Sequence, residues 1–154
     1  MNMLFVQLIS DFSIVALGCI AAITDLFTRK VPNKLLLIML GIWICLAMTR
    51  VLIDFEYGMQ SLIASAIGFL IGGGLTLIVY IISRNGLGAG DVKFMGLAGL
   101  YLSYRWVLAV MFVGGILCLI SAAILMLLKK TKLSDALPLV PFLYAGIILT
   151  VFLS

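Results

Sequence analysis

Asn85-Gly86-Leu87-Gly88-Ala89-Gly90-Asp91-Val92-Lys93 is an acid behind three alternate glycines, set between two strongly apolar segments. A carboxylate in such a place is expensive unless it sits at the edge of the hydrocarbon or serves a function there. Glycine has no Cβ, so the alternate glycines let the chain turn sharply and let another backbone come close. The stretch therefore reads as a connection between two membrane spans, shaped to bring a peptide against Asp91. A second acid, Asp25, closes another apolar run in Thr24-Asp25-Leu26-Phe27-Thr28-Arg29-Lys30-Val31-Pro32-Asn33.

Outward from this stretch the composition fixes the class. Of 154 residues, 65% are hydrophobic and 10% charged, outside the range of soluble domains and in keeping with one integral-membrane domain over residues 1–154. A helix needs about 20 residues to cross the hydrocarbon core. The long apolar runs cover residues 4–24, 35–53, 61–83, 92–104, 107–128 and 136–153. They lack the polar alternation of a β-barrel, so the expectation is an all-α polytopic bundle of about six transmembrane helices. The fourth run is short and contains Gly96 and Gly99, and is expected to be irregular or partly re-entrant.

Charge placement sets the orientation. Arg29, Lys30 and Lys34 follow the first run, Arg84 and Lys93 flank the third connection, and Lys129, Lys130 and Lys132 fill the fifth, whereas only Arg50 and Arg105 fall on the other side. Basic residues favour the cytoplasm, which puts both termini outside a cell inner membrane. Two crossings separate Asp25 from Asp91, so both belong at the cytoplasmic end. Lys30, Lys34 and Arg29 are expected to touch anionic lipid headgroups, and Arg50 to snorkel outward, with Asp54 and Glu56 in a short external loop. Tyr101, Tyr104 and Trp106 around Arg105 read as an external aromatic belt.

Other features sort into packing and chemistry. Asp11, Gly18 and Asp25 recur every seven residues on one helical face with Ala21 and Ala22 near it, and Asp11 is read as an outer-interface residue. Gly68, Gly72, Gly73 and Gly74 read as a tight packing face. Pro138 and Pro141 mark the entrance to the last span, as a plain helix start or as the frame of a groove for an extended peptide. Cys19, Cys45 and Cys118 lie inside spans without C-x-x-C spacing, and the chain has no histidine, so neither metal nor cofactor is expected. The N-terminus lacks a cationic region before a span-length run, which argues against a cleaved signal and against a lipoprotein site at Ala16-Leu17-Gly18-Cys19. No nucleic-acid partner is expected; membrane lipid is.

Two carboxylates at one depth, without histidine or metal ligands, suggest an acid pair that shares a proton and activates water for peptide hydrolysis. The competing reading is that each aspartate caps a helix or sits at the interface. Asp25 taken alone fits that reading; Asp91 behind its glycines calls for close backbone approach.

Gly88-Ala89-Gly90-Asp91 with Lys93, together with Asp25 followed by Arg29 and Val31-Pro32-Asn33, resembles the type IV prepilin peptidases, intramembrane aspartic proteases of the G-x-G-D kind. The Pro141-Phe142 region resembles that family's C-terminal span. The resemblance implies that Asp25 and Asp91 are catalytic, that Gly88, Gly90 and Lys93 form the loop along which substrate approaches, and that a prepilin or pseudopilin is cut after the glycine ending its leader. Larger members carry an N-terminal domain with paired C-x-x-C motifs and also methylate the new N-terminus. This chain begins with its first span, so the expectation is a short form, like the peptidases of Tad/Flp pilus systems or of related pseudopilin and competence systems, for which N-methylation is doubtful. Two other classes stay open: a small ion-coupled transporter using the glycine break as an ion site, and a presenilin-like protease cutting within spans, although no clear Pro-Ala-Leu motif is present. Reporter fusions after Asn33, Arg84 and Lys130 are expected to be cytoplasmic and a C-terminal fusion external; a cytoplasmic C-terminus would break the parity that unites the two aspartates.

Overall fold

The computed structural model describes residues 3–28, 30–83, 87–127 and 139–153. Arg29, Arg84, Asn85, Gly86, Lys129, Lys130, Lys132 and Pro138 lie outside the described residues. The chain forms α1 (Met3–Thr28), α2 (Asn33–Ile53), α3 (Phe55–Ser83), α4 (Ala89–Leu127) and α5 (Val140–Leu153). No strand occurs among the described residues, as the apolar runs lead one to expect. The first four are long and apolar enough to cross a membrane, and α5 is a shorter apolar helix of 14 residues. Leucine, isoleucine and phenylalanine side chains point outward along all five, as lipid demands.

The expected fourth and fifth spans are the two limbs of α4. They join at Ser103, whose φ of 60° and ψ of 178° interrupt the helix. Gly72 of α3 abuts both Met95 of the first limb and Val107 of the second. In a straight helix those two residues would stand about 18 Å apart at 1.5 Å per residue, so the chain must fold back at Ser103. Counted by limbs there are six helical segments among the described residues, and the irregularity expected of the short fourth span falls at this residue. The break falls before Arg105 and Trp106, where the hydropathy pattern divides the spans. Backbone in this region is nearly reserved to glycine and costs a serine about 1–3 kcal/mol, so the packing on either side must hold it.

That packing is glycine against backbone. A Cβ on Gly68 would run into the Gly99 carbonyl oxygen and stand 2.7 Å from the Ser103 carbonyl carbon. One on Gly72 would stand 2.7 Å from the Met95 oxygen. A Cβ on Gly73 would meet the Gly96 Cα at an ordinary 3.4 Å, whereas Gly74 faces open space and does not share the face. In a membrane, where lipid is as apolar as leucine, such close approach supplies the dispersion contacts that hold helices together. The second limb meets α5 in the same way, through Gly114 beside Leu143 and Gly146 beside Val110.

Two hydrogen bonds tie the first limb to α2: Trp43 Nε1 donates to the Leu100 oxygen at 2.9 Å and the Tyr101 hydroxyl donates to the Met39 oxygen at 2.7 Å. Tyr101 is therefore buried and does not belong to an aromatic belt, unlike the exposed Tyr104. Arg50 also departs from expectation. It turns inward, is only 5% exposed, and donates to Ser61 Oγ at 3.2 Å and to Gln7 Oε1 at 3.1 Å. The reason is local. Asp54 Oδ1 accepts the Tyr57 amide at 3.1 Å and caps α3, so the helix starts at Phe55 and no external loop remains. Helix α3 then brings Ser61 beside Arg50, where a loop would have left water.

Gly68→Ala is expected to destabilise the folded protein by about 1–3 kcal/mol or more, because backbone on both sides leaves no room to relax. Gly74→Ala is expected to be neutral. Heat resistance of the detergent-solubilised protein, followed by its elution profile, distinguishes the two.

Candidate active site

On α1 the buried positions Ile14, Gly18, Ala21, Ala22 and Asp25 form one stripe at helical spacing. Small residues on that stripe let α5 and α4 close over it: a Cβ on Gly18 would stand 3.0 Å from the Tyr144 ring and 3.9 Å from that of Phe94. Asp25, in the last turn of α1, is thereby carried into the bundle and is 3% exposed. The backbone N–H of Val140 hydrogen-bonds its carboxyl. Val140 opens α5, whose first-turn amides of Phe142 and Leu143 bond back to the Leu139 oxygen. The earliest amides of a helix have no partner within it, so this one is free for a carboxylate, and the helix dipole favours negative charge there. The other oxygen of Asp25, Oδ2, is buried without a hydrogen-bond partner among the described residues. Sequence reasoning missed Val140; the available signal was Pro141, a residue suited to a helix's first turn.

Asp91 stands in the first turn of α4. Its amide donates to the Gly88 oxygen at 3.0 Å, and the Gly88 amide donates to Asp91 Oδ2 at 3.0 Å. This is the acidic half of a capping box. The cap reading and the site reading are thus compatible: capping uses Oδ2 and sets the orientation of the carboxyl, while Oδ1 makes no hydrogen bond among the described residues. Gly88 itself is exposed, and a Cβ there would press on Asp91 Oδ2 at 3.3 Å.

Gly90 does permit close approach, and the partner is the chain's own α1–α2 connection. A Cβ on Gly90 would lie 3.3 Å from Val31 Cβ and 3.4 Å from Val31 N. No described glycine has a positive φ, so the need at Gly90 is for space and not for left-handed backbone. Beside it, the exposed Lys93 donates from Nζ to Asn33 Oδ1 at 3.2 Å, tying the start of α4 to the start of α2. Val31 is buried and Pro32 extended, with φ −68° and ψ 129°, at the N-cap of α2. These contacts hold the connection that follows Asp25 against the turn that carries Asp91. The two carboxyls are close enough for the charge of Asp25 to act on Asp91. Cys118 of the second limb is also within reach of the Asp91 charge. No cluster of three metal-ligating side chains occurs among the described residues.

The fold and site define a helical integral membrane protein with two buried carboxyl groups gathered at one end of the bundle. The sequence profile described as the type IV leader peptidase family matches residues 12–153, and the chain belongs to that family. It is similar to a prepilin leader peptidase/N-methyltransferase of Bacillus subtilis (strain 168), with 27% identity over 135 residues that cover 88% of this chain and 52% of the relative. The chain thus spans about half the length of that curated relative. No solved structure matches it.

Gly90→Val is expected to abolish activity at this site by driving Val31 and its connection off α4, and so parting the two carboxyls. Gly90→Ala, for which Val31 needs to yield only a few tenths of an ångström, is expected to keep a measurable fraction. Equal activity of both variants at equal membrane levels would show that the Gly90–Val31 contact does not position the pair.

Proposed function

We propose that this chain is a prepilin leader peptidase, hydrolysing the bond between the leader and the mature part of a type IV prepilin-like or pseudopilin substrate at the cytoplasmic face of the inner membrane. The observation that carries the proposal is that Asp25 and Asp91, far apart in sequence, are both buried and near enough for the charge of one to act on the other, in a chain that belongs to the leader-peptidase family. Like charges so placed resist double ionisation, so the pair holds one proton between them. The ionised carboxyl takes a proton from water as its oxygen attacks the scissile carbonyl carbon. The protonated carboxyl donates a hydrogen bond to the carbonyl oxygen. The tetrahedral intermediate then collapses as the leaving nitrogen receives a proton from the pair. No covalent link to the enzyme and no cofactor are needed.

The substrate strand would pass the exposed Gly88, with Lys93 near it. The Val140 amide would hold Asp25 in place through the cycle, and the Gly88 amide would hold Asp91. Under the distribution of basic residues this end faces the cytoplasm, with both termini external. Family membership favours hydrolysis over an ion-coupled transporter, and the position of both acids at helix ends favours a cut at a leader boundary over one within a span.

Asp25→Asn and Asp91→Asn are each expected to reduce cleavage of a prepilin in membranes to background, at least about a thousand-fold, because a shared-proton pair needs both carboxyls. Asp11→Asn is expected to cleave as the unmodified protein does, since Asp11 lies near the opposite end of α1, where Gln7 Nε2 donates to its Oδ1 at 3.1 Å. Wild-type turnover by either Asp25→Asn or Asp91→Asn would overturn the mechanism.

A further inference from the structure

The far end of the bundle holds a second polar site. Helices α1 and α3 do not approach each other's backbone closely there among the described residues, and between them lies a cavity of about 1000 Å³. Arg50 of α2 spans it, bonding Gln7 of α1 and Ser61 of α3. Both acceptors are neutral. Two acidic groups act on the guanidinium without a hydrogen bond to it, the Tyr57 phenol and then the Asp11 carboxyl, and Asp11 has its own donor in Gln7. A guanidinium has five N–H donors, and burying one against two neutral acceptors leaves donors unused and its charge only partly offset by Asp11.

The walls show what would compensate it. Arg105 adds a second cation to the lining, against the single carboxylate of Asp11, so the cavity is electropositive. Tyr104 and Trp106 stand beside it, residue types that mark the headgroup level of a bilayer. Leu4 and Leu8 on α1 and Ile63 and Ile67 on α3 line the cavity while also being exposed at its sides, so the gap has apolar walls on the hydrocarbon side.

We propose that this cavity binds a phospholipid from the leaflet opposite the aspartates, with the headgroup phosphate paired to Arg50 and the acyl chains leaving between α1 and α3. A guanidinium presents two parallel N–H groups to phosphate oxygens, and the bond is charge-assisted on both sides. The lipid would fill the gap beside the Gln7–Arg50–Ser61 bridge that links α1 and α3 through α2.

The test is native mass spectrometry of the full chain in uncharged detergent, with phosphatidylglycerol or a glucosyl-diacylglycerol of the same acyl chains added in small molar excess. The expected result is saturable retention of phosphatidylglycerol with at least about ten-fold preference over the phosphate-free glycolipid, and loss of that preference in Arg50→Gln. Arg50→Lys is expected to restore part of it. Ala64→Phe, which fills the cavity and leaves Arg50 in place, is expected to weaken retention as well and guards against misfolding of the arginine variant. Inorganic phosphate in excess is expected to leave the lipid bound; displacement by it would overturn the lipid assignment in favour of a free anion. Equal retention of the two lipids, or retention unchanged in Ala64→Phe, would overturn the proposal.

Discussion

The approach of α3 glycines to the backbone of α4 is the contact on which the rest depends. Because Gly68 and Gly72 present no side chain, both limbs of α4 can lie against one helix, and the chain can reverse at Ser103. A bundle in lipid gains nothing by hiding leucine from lipid, so it needs contacts of this density to hold a strained turn. The reversal has a consequence at each end. The first limb begins at the turn that carries Asp91, and the second returns toward that end beside α5, whose opening amide meets Asp25.

The two acids are held by unlike means that suit their places. Asp91 heads a helix and is oriented by its own cap, a local arrangement within four residues. Asp25 ends a helix, where the dipole of α1 opposes its charge, and its compensation comes from the first turn of another helix. The connection between α1 and α2 joins these arrangements, since Val31 rests on Gly90 and Asn33 accepts from Lys93. Each glycine of the motif thereby has its own neighbour: Gly88 lies against the carboxyl, Gly90 against the chain. The G-x-G-D pattern is in this view a packing device.

The opposite end follows a different logic. There the helices α1, α2 and α3 are joined through the side chains of Gln7, Arg50 and Ser61, with a cavity beside them. A buried arginine between neutral partners carries a desolvation penalty that an anion or well-placed water would offset. This end also lies about 21 Å along α1 from Asp25, judged by the rise from Asp11, so its chemistry is separate from that of the carboxyl pair.

Much of this was legible in the chain. Apolar runs separated by charge gave the all-helical class and the order of the segments. Seven-residue spacing put Gly18 and Asp25 on one face of α1, and the glycine repeat marked the packing face of α3 apart from Gly74. The parity of crossings brought the two aspartates to one end. What tertiary structure alone decided was which element covers each face: Val140 over Asp25, Val31 over Gly90, Met39 over Tyr101, and Gln7 with Ser61 over Arg50. The physical reason is that hydropathy separates water from apolar surroundings, and in a membrane the lipid side and the protein side of a helix are both apolar. Sequence pattern therefore locates the helices and their small or polar residues, while the partner of each is chosen by close packing between segments distant in the chain.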